Sequence, residues 1–115
     1  MKHHELRPKV LRVMGRDYLV AWEKSEVLPS AVAGLTDNRS LTIAVDVIQH
    51  PVEELDTLLH ELFHAIWFQM SMSEHPPEEE VIVRKLAGGL TQVLQDNPQL
   101  IKYIAAIKNP ERKPK

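Results

Sequence analysis

The sequence predicts an α+β fold, in which a small, mostly antiparallel sheet is followed by three helices. Two observations lead to this fold class. Between residues 10 and 47, β-branched and turn residues dominate, as is typical of short strands joined by tight turns. Between residues 52 and 107, helix formers dominate, and apolar residues recur every three or four positions.

Four short strands are expected in the first half of the chain: Val10–Val13, Tyr18–Trp22, Ala31–Leu35 and Leu41–Val45. Gly15-Arg16 suits a hairpin turn between the first two strands. The segment 36–40 contains Asp and Asn and suits a turn between the last two. The strand 41–45 is either a sheet edge, to which an extended peptide could add, or an interior strand.

Three helices are expected in the second half: one of about 20 residues from Pro51, one from Glu78 to about Gln95, and one from Pro98 to Ile107. Pro51 fits the first turn of a helix, and the acids that follow it complement the helix dipole. The expected apolar stripes are Leu55, Leu58, Leu59, Leu62, Phe63, Ile66 and Met70 on the first helix, and Val83, Leu86, Ala87, Leu90 and Leu94 on the second.

The length of 115 residues fits one domain, which we expect to span residues 1–108 and to end in a frayed tail at 109–115. The chain contains no cysteine, which excludes disulfides, thiolate metal sites and a cysteine nucleophile.

The balance of charge and apolar residues excludes further classes of protein. The net charge of −2 gives no basic footprint for nucleic acid. No apolar stretch approaches the roughly 20 residues of a membrane span, and the polar first ten residues contain no signal-peptide core. We therefore expect a cytoplasmic protein that binds neither nucleic acid nor membrane.

A chemical motif stands in the middle of the first predicted helix. His60, Glu61 and His64 form H-E-x-x-H. Positions i and i+4 are neighbours on one helix face, so both imidazoles can bind one cation, most often Zn²⁺. Glu61 lies about 100° further round the helix. There it can act as general base toward a zinc-bound water.

A catalytic zinc also needs a third protein ligand and an open fourth position. Glu79 and Glu80, at the start of the second helix, flank its apolar stripe on either side. Periodicity does not choose between them. His75, beside two prolines between the helices, is a rival ligand because catalytic zinc sites use both His₂Glu and His₃ sets.

The segment Thr57–Ile66 resembles the active-site helix of small gluzincin-type metallopeptidases, above all the ImmA/IrrE-type family and the zincin-like proteins of phages and prophages. The similarity spans residues 41–98. In that family a following helix has the pattern E-x-x-A-x-x-F-A. Here Glu80 opens that pattern, Leu86-Ala87 falls on its Phe-Ala pair, and Val83 replaces the small residue.

The resemblance implies a minimal zincin-like core that hydrolyses peptide bonds in a peptide or protein substrate. His60, His64 and Glu80 would hold Zn²⁺, with Glu61 as general base. No residue is identified for stabilising the oxyanion; Tyr18, Tyr103 and Arg84 are candidates. The alternative function is a non-catalytic zinc-binding interaction module of the same fold. A metal-free partner-binding domain is a third interpretation.

Overall fold

The computed structural model describes residues 2–24, 33–71 and 79–107. In chain order these residues form a 3-10 helix at His3–Leu6, strands β1 (Val10–Val13), β2 (Arg16–Glu23), β3 (Gly34–Asp37) and β4 (Thr42–Asp46), and helices α1 (Pro51–Gln69), α2 (Glu79–Asp96) and α3 (Pro98–Ala106). The α+β class is thereby confirmed. The predicted tail, 109–115, lies outside the described residues.

The four described strands form one mixed sheet in the order β1-β2-β4-β3. The β1–β2 and β3–β4 pairs are antiparallel, as the sequence led us to expect, whereas β2 and β4 run parallel. Strand β4 is therefore interior, and β3 is an edge of the described sheet. Of the two roles considered for the strand near residues 41–45, the interior one is correct.

The first hairpin turn lies one residue earlier than predicted. Val13 pairs with Arg16, so the two-residue loop is Met14-Gly15. Both loop residues have positive φ, 50° at Met14 and 82° at Gly15. Positive φ at both positions gives a turn whose twist matches that of the strands. Arg16 therefore belongs to β2.

The turn of the second hairpin also differs from the prediction, because it begins and ends later in the chain. Residues 36 and 37, expected in the turn, belong to β3 and pair with β4. Leu41, expected to open a strand, has a φ of 57° and closes the turn instead. The Asp37 carboxylate stabilises this turn by accepting hydrogen bonds from the backbone N–H groups of Arg39 and Ser40, at 2.9 and 3.2 Å.

The core lies between one face of the sheet and the helices. Its fully or nearly fully buried apolar residues are Leu11, Val13, Tyr18, Val20, Ile43, Val45, Leu58, Leu62, Ala65, Ile66, Val93, Leu100 and Tyr103. Among the described side chains, two predicted stripe residues are exposed. Phe63 is 39% exposed and Ala87 is also exposed. Val93, which the predicted stripe left out, is fully buried.

Helices α1 and α2 touch closely at Gly89. A β-carbon there would lie 2.6 Å from Cγ2 of Ile66 and 3.2 Å from Sδ of Met70. The missing side chain therefore allows the close approach. Among residues 2–24, 33–71 and 79–107, no helix has the length and apolar composition that a membrane crossing requires.

Candidate functional site

Helix α1 carries the H-E-x-x-H motif near its middle, and its start is fixed by local chemistry. Pro51 lies in the first turn, as predicted, and Nδ1 of His50 accepts a hydrogen bond from the N–H of Val52 at 3.4 Å. Leu58 and Leu62 anchor the buried face of the helix in the core. The outer face of the helix, opposite these leucines, carries the two histidines of the motif.

The two histidines of the motif lie side by side on that outer face. His60 and His64 are both exposed, and their ring centroids are 5.0 Å apart with the planes inclined at 71°. This proximity is what the i, i+4 spacing predicts. Two adjacent, accessible imidazoles match the nitrogen donors that zinc prefers, so this pair fits two positions of a zinc site.

Unlike the two exposed histidines, Glu61 is turned toward the sheet and is 8% exposed. Its carboxylate Oε1 lies 2.7 Å from Oγ1 of Thr36 on β3, and the backbone oxygen of Glu61 lies 3.0 Å from the same hydroxyl. The Thr36 hydroxyl donates its single proton to one of these acceptors at a time. No described residue donates a hydrogen bond to Oε2.

Gly34 brings β3 and α1 close together beside Glu61. A β-carbon at Gly34 would lie 2.7 Å from Cγ2 of Thr57 and 3.0 Å from Cγ of Glu61. Any side chain here would push the edge strand away from the helix. The absence of a β-carbon thus allows the Thr36–Glu61 contact.

Two open clefts flank the point where Gly34 meets Glu61, and both include these two residues. One has a volume of about 310 Å³ and is also lined by Ala33, Asp56, Thr57 and His60. The other has a volume of about 290 Å³ and is also lined by Leu35, Thr36, Asn38 and His64. Each cleft therefore combines one histidine of the motif with the same carboxylate.

The third zinc ligand stays a prediction. Glu79 and Glu80 are the first two residues of α2, but their side chains are outside the described part of the structure, as is the whole of His75. Within the described part, no three His, Cys, Asp or Glu side chains form a group that could hold a metal ion. His60 and His64 are the two predicted ligands whose relative position is known.

The three candidate oxyanion donors do not line either cleft. Tyr103 is fully buried, and its hydroxyl donates to Oε2 of Glu54 at 2.7 Å. Arg84 is exposed on α2. Tyr18 is fully buried and donates to Oδ1 of Asn38, which does line the cleft of His64.

Sequence reasoning did not identify Thr36, Gly34 or Asn38 as site residues. The sequence places residues 36 and 38 in a turn, and a lone glycine inside a short predicted strand has many explanations. The available signal was a glycine inside a strand pattern, which marks a bulge or a close backbone approach. It does not reveal which element approaches.

Comparison of the chain with protein-family models, curated protein sequences and solved structures found no match. A function can therefore be inferred only from the sequence, the fold and the geometry around Glu61.

Proposed function

We propose that this chain is a zinc-dependent metallopeptidase with a minimal zincin-like core, acting on a peptide or protein substrate. His60, His64 and Glu80 would hold Zn²⁺, and Glu61 acts as the general base. One observation carries the proposal: a buried carboxylate, held by Thr36, separates two clefts that each contain one of two adjacent histidines.

The donor set suits zinc in its chemistry. Two exposed imidazoles with centroids 5.0 Å apart offer neutral nitrogen donors on one helix face. When bound there, zinc supplies a Lewis acid that polarises a carbonyl and lowers the pKa of water to about 7.

Glu61 has the position and the hydrogen bonding that a general base needs. Thr36 fixes the carboxylate through Oε1 and so restricts its rotation. Oε2 receives a proton from the water that attacks the peptide carbonyl. The same oxygen then gives this proton to the departing amine, so the carboxylate is regenerated.

Strand β3 offers a binding edge for the substrate. It pairs only with β4 within the described sheet, and its residues Gly34, Leu35 and Thr36 line the cleft of His64. An extended peptide could add to this edge by main-chain hydrogen bonds. Such binding makes few demands on substrate sequence.

The second candidate is a non-catalytic zinc-binding interaction module. The observation in its favour is that none of the three expected oxyanion donors, Tyr18, Tyr103 and Arg84, lines either cleft. Both an enzyme and an interaction module would bind zinc. The two functions differ in whether Glu61 is needed for peptide cleavage.

The first experiment measures zinc per chain by elemental analysis after purification without added metal. The variants are His60→Ala, Glu79→Ala and Glu80→Ala, with the exposed His4→Ala as the histidine control. We expect near-stoichiometric zinc in the wild type, His4→Ala and Glu79→Ala, and its loss in the other two. A wild type that binds no zinc even when zinc is offered would contradict the proposal.

The second experiment compares Glu61→Gln with Glu53→Gln on a mixture of unstructured peptides. Glu53 is an exposed acid on the same helix and serves as the matched control. We expect Glu61→Gln to keep zinc and lose at least about 100-fold in cleavage rate, the usual contribution of a general base. Zinc binding with no cleavage in the wild type would favour the interaction module.

A further inference from the structure

The turn between β3 and β4 is fixed by its own hydrogen bonds. Asp37 accepts from two backbone N–H groups, and these bonds hold the pKa of its carboxyl below the usual value, the bond from Ser40 contributing most and that from Arg39 next. Asn38, the next residue, is half-buried and lines the cleft of His64 and Glu61.

The side chain of Asn38 is also fixed by a hydrogen bond, which it accepts through Oδ1. The Tyr18 hydroxyl donates to Oδ1 at 2.7 Å, and Nε2 of Gln69 donates to the Tyr18 oxygen at 2.9 Å. Tyr18 is fully buried, and this burial raises the pKa of its hydroxyl, which therefore keeps its proton across the physiological range.

The direction of this chain of hydrogen bonds leaves the two N–H donors of Asn38 without a partner among residues 2–24, 33–71 and 79–107. A tyrosine hydroxyl has one proton, and since it accepts from Gln69, that proton goes to Asn38. The carboxamide of Asn38 must then turn its oxygen toward Tyr18 and its NH₂ group away from it. Nδ2 donates to no described residue, and Asn38 borders the cleft that contains His64.

We propose that Asn38 is a catalytic residue whose Nδ2 donates a hydrogen bond to the carbonyl oxygen of the scissile peptide as negative charge develops on it. Tyr18 is the positioning residue that aims this donor. The inference rests on the proposed function, and it supplies the oxyanion donor that the sequence did not reveal. Donors fixed in advance at such a position are typically worth 10²- to 10³-fold in rate.

The experiment uses the full zinc-loaded chain and an N-acylated dipeptide phosphonamidate as probe. Its tetrahedral phosphoryl group places oxygen where charge develops, and the corresponding dipeptide amide is the planar control. We compare dissociation constants for the wild type, Asn38→Ala, Tyr18→Phe and the exposed neighbour Arg39→Ala. Zinc content and the thermal midpoint are measured for each variant.

We expect Asn38→Ala to weaken phosphonamidate binding about 10- to 100-fold, the range for a hydrogen bond to a charged group, and to leave amide binding and zinc content unchanged. Tyr18→Phe should show a smaller loss of the same kind, and Arg39→Ala should resemble the wild type. Equal weakening toward both probes would indicate a structural role and overturn the assignment.

A second measurement does not depend on any variant folding. In the wild type, the side-chain NH₂ resonances of Asn38 should shift on adding the phosphonamidate. If they stay in place while resonances of His64 move, Asn38 is not the donor. An Asn38→Ala variant that retains zinc and keeps the wild type's preference for the phosphonamidate over the amide overturns only the role of Asn38, whereas a wild type without zinc overturns the proposed function as well.

Discussion

The proposed role of Glu61 as general base depends on the environment of its side chain. A carboxylate on an exposed helix face would rotate freely, but this one is 8% exposed and bonded to Thr36 through one oxygen only. Fixing one oxygen orients the other without neutralising the charge. The hydroxyl of a threonine suits this task because it donates a single proton.

We predict that Thr36→Val lowers the cleavage rate about tenfold or more, since a hydrogen bond to a charged group contributes about 1.5–3 kcal/mol. Valine keeps the shape of threonine and removes only the donor. Zinc content should be unchanged, because Thr36 is not a proposed ligand. Steady-state cleavage and elemental analysis of the same samples measure both quantities.

Thr36→Ser is the matched control for that prediction, since serine keeps the hydroxyl. It should retain most of the activity that valine loses. Equal rates for Thr36→Val and the wild type would mean that the bond to Glu61 has no catalytic role.

Helix α2 contains two adjacent glycines that occupy opposite environments. A β-carbon at Gly88 would meet nothing within 4 Å, whereas one at Gly89 would overlap Ile66. Glycine inside a helix is unfavourable by about 1 kcal/mol relative to alanine, so its presence needs a reason. Packing against α1 supplies that reason at Gly89, whereas none of the described residues supplies one at Gly88.

We predict opposite changes in the free energy of unfolding for Gly88→Ala and Gly89→Ala. The first should stabilise the protein by up to about 1 kcal/mol through helix propensity alone. The second should destabilise it by about 1–3 kcal/mol net, as overpacking at a tight contact does. Urea denaturation of the two variants and the wild type measures both changes, and equal stability of the variants would contradict the α1–α2 contact.

The pattern of apolar residues predicted where the helices lie better than it predicted how the strands pair. Strand Val10–Val13 and the start of α1 at Pro51 match the prediction, because both depend on residues within the element. The order β1-β2-β4-β3 could not be predicted, since the pairing of β2 with β4 depends on contacts between distant segments.

A buried ionic cluster ties together three parts of the whole molecule. The Arg7 guanidinium binds Glu54 at 2.6 and 3.1 Å, and Tyr103 donates to the same carboxylate at 2.7 Å. Arg7 also lies 5.4 Å from the ring centroid of Trp22 on β2. The cluster thus joins the N-terminal segment, the start of α1 and α3. The sequence suggested only that Glu54 complements the helix dipole.

We predict a loss of stability at alkaline pH that depends on Tyr103. Burial, and then the hydrogen bond and charge of Glu54, raise the pKa of this tyrosine above its usual value of 10.0. The folded state therefore keeps the proton that the unfolded state releases near pH 10. The contribution is fully present below pH 10 and is lost as the pH rises above it, by about 1.4 kcal/mol per pH unit.

Urea denaturation from pH 8 to pH 11 measures this dependence. Tyr103→Phe should be less stable at neutral pH, because Glu54 loses a donor, but its stability should fall less steeply above pH 10. Tyr18, whose pKa burial also raises, remains in the variant and keeps a residual slope. Parallel curves for Tyr103→Phe and the wild type would contradict the assignment to Tyr103.

The sequence by itself determined the α+β class, the positions of the helices and the pairing of His60 with His64. Each of these follows from local rules: the periodicity of apolar residues, the fixed φ of proline, and the i, i+4 geometry of a helix. Only the tertiary structure brought Gly34, Thr36 and Asn38 to Glu61. Their positions depend on β3 lying at the sheet edge against α1, a contact between segments about 25 residues apart, which no local pattern encodes.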